Sequence, residues 1–364
     1  MKIAIIGAGA SGLLSAMLLS KNHDVIVFER LDRPGRKILA SGNGKANISN
    51  LNMNEKYYNN QKFVKDIYDV VKPQMVWNLF KSLKLLTTTD EEGRIYPYSL
   101  SSQTVLDVIL KNCNNVKFVY NYNVNKLNYN NGWIINDYDC LFDHVIVSSG
   151  SIAGIIAKKQ AGIYDYLSFV NMTKLQPSLC GFKVSNNIKD LSGLRCKVNA
   201  KLLKNGKVVY SENGEVIFKD EGISGIVIMN LESIYVNDSN KDSYEVELDL
   251  LPEINISDLS EYTLDGIVNK KLVSYLKLNN YNDALKKLKS FKLQIKGTYE
   301  FSDAQVVCGG VNLNEVNSRL EYIKNNTLHF GGEVLDIDGR CGGYNLHFAF
   351  SCAILHKLVI DNEI

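Results

Sequence analysis

The chain has 364 residues, 45% hydrophobic and 22% charged, an ordinary balance for a globular enzyme and long enough for two domains or one domain with a large insertion. Forty-one basic against 39 acidic side chains leave a formal charge of +2, so no uniform field draws nucleic acid or an anionic membrane. No stretch approaches the roughly 20 apolar residues that span a bilayer; the first residues run into glycines rather than a cleavage region, and the seven cysteines form no C-x-x-C pair, which argues against a zinc site or dithiol centre and fits a reducing cytoplasm.

Lys2 to Ile6 is a short apolar run that predicts a buried parallel strand, and Gly7-Ala8-Gly9-Ala10-Ser11-Gly12 follows at once, opening a helix through about Ser20. In this spacing Gly7 permits the tight turn, Gly9 lets the backbone approach a pyrophosphate, and Gly12 lets helix and strand pack; the helix start then offers N–H donors and a positive dipole end. Asp24 to Phe28 predicts the second strand, and Glu29 ends it about 20 residues beyond Gly7, where an acid accepts hydrogen bonds from an adenosine ribose. Strand, glycines, helix, strand and acid in order mark a dinucleotide site without separating FAD from NAD.

Gly35 to Asn50 is polar and glycine-broken, poor material for a core helix. Its small residues allow a ligand close to the backbone, and Arg36, Lys37 and Lys45 can offset pyrophosphate charge. Val145 to Val147 is an apolar strand reaching Gly150, and Pro177 to Val184 reads as a crossover. The chain then turns β-rich: Asn205-Gly206 and Asn213-Gly214 predict hairpin turns, Tyr244 to Leu251 alternates as a strand, and Leu259 to Phe291 carries helical spacing. Residues 186–305 are therefore expected to form an inserted β-rich domain with a small helical part, and 1–185 with 306–364 a discontinuous α/β cofactor domain, the cofactor's reactive end lying at the seam. No second G-x-G-x-x-G follows a strand, so a separate nicotinamide domain is not expected.

Near the C-terminus, Leu328 to Asn345 reads as a strand, then acids, then glycines, leading into a helix with Leu346, Ala349, Phe350, Ala353, Ile354 and Leu358 on one stripe. In two-part FAD folds an acid here, Glu333 or Asp336, binds ribityl or pyrophosphate-side hydroxyls, and the helix N-terminus, capped by Gly342, Gly343, Tyr344 and Asn345, faces the flavin N1/C2=O edge. Of five dispersed histidines only His347 is expected near the site, and it otherwise reads as a helix-surface residue. Cys308 and Cys341 read as small buried or loop thiols. Lys270-Lys271 with Lys286, Lys287 and Lys289 is the one basic concentration, read as a solvated helix surface.

Five segments in order, G-A-G-A-S-G at 7–12, G-R-K-I-L-A-S-G-N-G-K-A-N at 35–47, G-R-I-Y-P-Y-S at 93–99, G-I-S-G at 222–225 and G-G-E-V-L-D-I-D-G-R-C-G-G-Y-N at 331–345, resemble the bacterial NAD(P)/FAD-dependent oxidoreductases, the aminoacetone oxidase-like FAD-binding enzymes with a bile-acid-reducing branch. The resemblance runs nearly end to end. It implies a glutathione-reductase-type Rossmann FAD domain completed by the C-terminus, with Gly7, Gly9, Ala10, Ser11, Gly12, Glu29, Arg30, Arg36, Lys37, Ser41, Gly42, Asn47, Glu333, Asp336, Gly343, Tyr344 and Asn345 around FAD; Gly150, at the third strand's end, joins them. Lys37, Asn47 and Tyr344 are the candidates for polar groups near the ring.

The chain departs from the family pattern at Ala46, where a cysteine is usual, at Ser148-Ser149-Gly150-Ser151 in place of A-T-G-G, between Ile152 and Asp165, at Asp220 and Glu221, and at Ile226, where a proline is usual. The expected activity is an FAD-dependent oxidoreductase of the cytoplasm that reduces an activated C=C bond of a small organic substrate with NAD(P)H as a transient donor. The alternatives are an O₂-using flavin oxidase of a small amine and a flavin-containing nucleic-acid-modification or binding protein; neither a metal nor a membrane is expected.

Overall fold

A computed structural model describes residues 1–154, 162–241, 243–259, 262–276, 281–362 and 364. They divide into two compact units, each with its own hydrophobic core. The first is built from Met1–Ile152 and Val306–Ile364 with the segment ending at Leu175; the second chiefly from Gln176–Gln305.

The first unit centres on a six-stranded sheet in the order Glu321–Tyr322, Asn325–Phe330, His144–Val147, Lys2–Ile6, Asp24–Phe28, Val116–Val119. All neighbours are parallel except the first pair. Lys2–Ile6 is a central strand, with Ile3 pairing both Val25 and His144, and its unbroken apolar run is what burial on both faces requires. The strand after His144–Val147 thus comes from the far end of the chain, with Leu328 opposite Val145. Helices Ala10–Leu19 and Tyr344–Ile360 pack together. The latter does not bury a single stripe: Phe348, Phe350, Cys352, Ala353, Leu355, His347 and His356 are all at most 2% exposed, because the sheet side and the helices Gln61–Val70 and Pro73–Ser82 enclose it. A small antiparallel sheet sets Ser49–Asn50 against Arg94–Pro97 and that strand against Thr87–Thr89.

The second unit is a closed barrel in the order Phe182–Val184, Gly222–Ser224, Lys207–Lys219, Arg195–Lys204, Tyr244–Asp249, Phe291–Thr298. Two sequence expectations change here. Phe182–Val184 is a barrel strand rather than part of a crossover in the first domain, because it pairs with both Gly222–Ser224 and Phe291–Thr298. Asn205-Gly206 does make the turn between two long strands, but Asn213-Gly214 lies inside Lys207–Lys219. There Asn199 donates to Asn213 Oδ1 at 2.8 Å, and a Cβ on Gly214 would stand 2.9 Å from Val227 Cβ, so the glycine serves packing rather than reversal. An apolar helix, Ile226–Asn237, directly follows G-I-S-G. The predicted helical stretch appears as Leu264–Ile267, Lys270–Leu276 and Tyr281–Lys289. Lys289 is not simply solvated: it pairs with Asp249 at 2.6 Å and donates to the carbonyls of Leu251 and Ile254. Among the described residues no helix is long and apolar enough to cross a membrane.

Candidate functional site

The first strand ends at Gly7, whose φ of +100° and whose position, with an added Cβ only 2.5 Å from Ser148 O, admit no side chain. Gly12 is as tight, since a Cβ would meet Gly7 O at 2.0 Å. Gly9, the N-cap of Ala10–Leu19, has nothing within 4 Å of where a Cβ would sit, so the loop's one open point stands at the helix N-terminus. Ala10 and the buried Ser11 begin that helix, and Ser148 Oγ donates to Ser11 Oγ at 3.4 Å. Glu29 is tied into this loop: its two carboxylate oxygens accept from Ala8 N–H at 2.7 Å and Leu31 N–H at 2.9 Å. A carboxylate offers about four lone-pair sites, so two further donors can still be met. Beside it a cleft is lined by Gly7, Glu29, Arg30, Tyr122, Ser149 and Tyr166, among others.

The segment after Gly35 makes a five-residue helix, Arg36–Ala40, that buries Ile38 and brings Lys37 inward. Lys37 Nζ donates to Glu333 Oε2 at 2.5 Å and to Ser151 Oγ at 3.1 Å, and Val307 N–H donates to Glu333 Oε1 at 3.2 Å. Arg36 instead pairs at the surface with Asp32 at 2.5 Å, and its hydrogen bond holds the Asp32 carboxyl below the usual range. Ser41 Oγ donates to Ile38 O at 2.6 Å, and exposed Gly42 follows with φ +56°. Gly150, at the end of the third strand, also has open space where a Cβ would stand, and its carbonyl accepts from Tyr164 OH at 2.7 Å.

The C-terminal turn is held by the same N-terminal segment. With its amide oriented as its neighbours dictate, Asn47 accepts from Gly343 N–H at 3.0 Å and donates to Ser49 O at 2.8 Å. Gly343, at φ +96°, is the N-cap of Tyr344–Ile360. Asn345 clasps the turn in front, accepting from Gly339 N–H at 2.8 Å and donating to Gly339 O at 2.7 Å. Asp336 Oδ1 accepts from Gly309 N–H at 3.1 Å and from Asn59 Nδ2 at 3.3 Å. Tyr344, 6% exposed, sets its ring centre 4.7 Å from that of Tyr57 at a tilt of 34°, while Tyr58 OH donates to its carbonyl at 2.8 Å. Burial lifts the Tyr58 hydroxyl well above its ordinary pKa.

The structure thus brings Lys37 to Glu333 and Asn47 to Gly343, and leaves Arg36 at the rim. The run Tyr57-Tyr58-Asn59-Asn60, Ser151 and the tyrosines at 164 and 166 were not anticipated; the only signal was two aromatic and two amide side chains in succession. His347 is not a helix-surface residue: it is fully buried, with Nδ1 2.8 Å from Ser49 Oγ, and desolvation lowers its pKa to about 3. Cys308 is buried and Cys341 half-buried. Residues 155–161 of the altered 152–165 loop lie outside the described residues. Among the described residues no group of three or more His, Cys, Asp or Glu side chains could hold a metal ion.

The model of the HI0933-like protein Rossmann domain matches residues 1–356. The chain belongs to this family. It is 28% identical to the 3-dehydro-bile acid delta(4,6)-reductase of Clostridium scindens, with 97% of each chain covered, and 27% identical to the ribosomal RNA dihydrouridine synthase of Escherichia coli, with 96% of this chain and 95% of the relative covered. The structure of 3-ketosteroid-delta4-(5alpha)-dehydrogenase from Rhodococcus jostii shares the fold at TM-score 0.51 and 11% identity, over 98% of this chain and 95% of the other. This member of the HI0933-like family is an FAD-dependent oxidoreductase, with a Rossmann-type FAD domain and an inserted β-rich region.

Proposed function

We propose that the protein is a reductase that saturates an activated C=C bond of an organic substrate, with NAD(P)H as the electron donor. The reading rests on one observation: the segment that follows the dinucleotide loop is hydrogen-bonded, through Lys37 and Asn47, to Glu333 and to the Gly343 cap of the helix from the other end of the chain. Two full-length relatives support the chemistry. One is named for a delta(4,6) reduction, and dihydrouridine is uridine with a ring C=C bond saturated, so both names describe the same bond change on different scaffolds.

The residues fit FAD. The open face at Gly9, the N–H donors that begin Ala10–Leu19 and the cleft beside Glu29 and Arg30 suit a pyrophosphate and an adenosine. Gly7, Gly9, Ala10, Ser11, Gly12, Glu29, Arg30 and Gly150 would hold that half; Lys37, Ser41, Gly42, Asn47, Glu333, Asp336, Gly343, Tyr344 and Asn345 would hold the other. FAD when bound supplies hydride transfer to and from its ring. Within the protein, Glu29 fixes the loop that turns toward the pyrophosphate, Lys37 carries positive charge to Glu333, and Asn47 holds the N-cap of the C-terminal helix. That helix start turns its N–H groups and the positive end of its dipole toward whatever negative charge develops beside it. Seven free thiols suit a cytoplasmic location.

Anaerobic mixing of the FAD-loaded protein with NADH or NADPH tests the reading. Fast loss of flavin absorbance, reversed without oxygen by a conjugated enone, is the expected result; slow loss with fast re-oxidation by O₂ points to an oxidase. The Escherichia coli relative favours a second reading, action on a uridine in RNA. Appearance of dihydrouridine in an unmodified transcript, with no turnover of small enones, selects it.

A further inference from the structure

Ser49 is a hub behind the start of the C-terminal helix. Its hydroxyl oxygen accepts the Trp77 indole N–H at 2.7 Å and lies 2.8 Å from His347 Nδ1. Indole can only donate, so Ser49 Oγ takes that N–H and can still donate its own hydrogen to Nδ1 or accept from it, as the imidazole tautomer sets. Ser49 and His347 are buried, at 1% and 0% exposure, and the Tyr68 ring packs edge-on against the imidazole at 5.7 Å. The carbonyl of Ser49 accepts from Asn47, whose own oxygen accepts from Gly343 N–H. The first turn closes when His347 N–H donates to Gly343 O at 3.1 Å. A Cβ on Gly343 would lie 2.3 Å from Ser49 O, so the N-cap and the hub are in direct contact. Three separate elements, Ser49–Asn50, Pro73–Ser82 and Tyr344–Ile360, are thereby locked at one helix terminus.

We infer that Trp77, Ser49 and His347 form a buried positioning relay that sets the aim of the Gly343–Asn345 helix start at the flavin, and so tunes the flavin it faces. The inference rests on the reading above that this helix start borders FAD. The relay touches neither flavin nor substrate; it acts through the orientation of N–H donors, whose effect on a developing negative charge falls off within the first turn. Removing it leaves the helix in place and lets its first turn shift, so flavin properties change more than the fold does.

The test uses full-length protein loaded with FAD and compares His347→Leu, His347→Asn, Ser49→Ala and Trp77→Phe with the wild type. The Asn amide can take the place of Nδ1 as hydrogen-bond partner of Ser49. Expected are a more negative flavin midpoint potential and several-fold faster FAD release in His347→Leu and Ser49→Ala, both moving back toward wild type in His347→Asn. Should His347→Leu fail to fold, Trp77→Phe, which leaves the Ser49–His347 contact without its third member, carries the test with a smaller shift in the same direction. Folded variants with wild-type potential and FAD release overturn the relay. A wild type that holds no FAD overturns instead the reading on which the relay rests.

Discussion

Lys37 and Glu333, 296 positions apart, meet at 2.5 Å and tie the segment after the dinucleotide loop to the turn before the last helix. With side chains 32% and 19% exposed, the pair contributes only about 0–1 kcal/mol to stability. Its consequence is expected in cofactor retention. Glu333→Gln and Lys37→Met should unfold within a few degrees of the wild type but release FAD faster, as followed by the rise in flavin fluorescence after dilution. Unchanged release in both would make the pair scaffold alone.

Gly12 tests the loop geometry independently. A Cβ there would overlap Gly7 O at 2.0 Å, so Gly12→Val must push helix from strand. Overpacking of this kind costs about 1–3 kcal/mol. Expected are a lower thermal midpoint and loss of FAD binding together, whereas Gly9→Ala, with open space around it, should keep its thermal midpoint and lose mainly affinity.

These two glycines also mark what the sequence made legible. Strand, loop, helix and Glu29 lie within thirty residues, so local spacing and one local hydrogen bond, Ala8 to Glu29, define them. Ser49, Asn50, Tyr58 and Asn59 each have a partner near the other end of the chain, at His347, Gly342, Tyr344 and Asp336, and nothing in their neighbours' spacing announces that. His347 was misread for a related reason: a helix enclosed on all sides has no polar face to distinguish, and a buried neutral histidine looks the same in sequence as an exposed one.

Asn213-Gly214 shows tertiary pairing overriding a local turn signal, and the difference is measurable. Gly214→Ala brings a methyl to 2.9 Å from Val227 Cβ and should cost about 1–3 kcal/mol by urea unfolding. Gly206→Ala, at the true turn with φ +73° and open space, should cost about 1 kcal/mol from backbone strain alone. A Gly214→Ala variant as stable as the wild type would argue that Gly214 has no packing role.

Stability should depend on pH through buried imidazoles. His356 and His347 are neutral in the folded protein, with pKa values lowered by burial to about 4 and about 3 from 6.5. Below pH 6.5 the unfolded chain takes up protons that the native state excludes, so the stability is complete above 6.5 and falls as pH drops toward 4. The slope is about 1.4 kcal/mol per pH unit for each histidine. Urea unfolding at pH 7 and pH 5 should show the loss, reduced in His356→Gln. Equal stability at the two pH values would contradict it.

The position of His144–Val147 between Lys2–Ile6 and Asn325–Phe330 also sets an order of events on the ribosome. The strand is synthesised early, yet its second neighbour emerges only after every residue of the barrel has been made. Until then the nascent sheet keeps an open edge, the kind of edge that pairs with foreign strands. The barrel, whose six strands all lie between Phe182 and Thr298, can close first, so the cofactor-holding half of the protein is begun first and finished last.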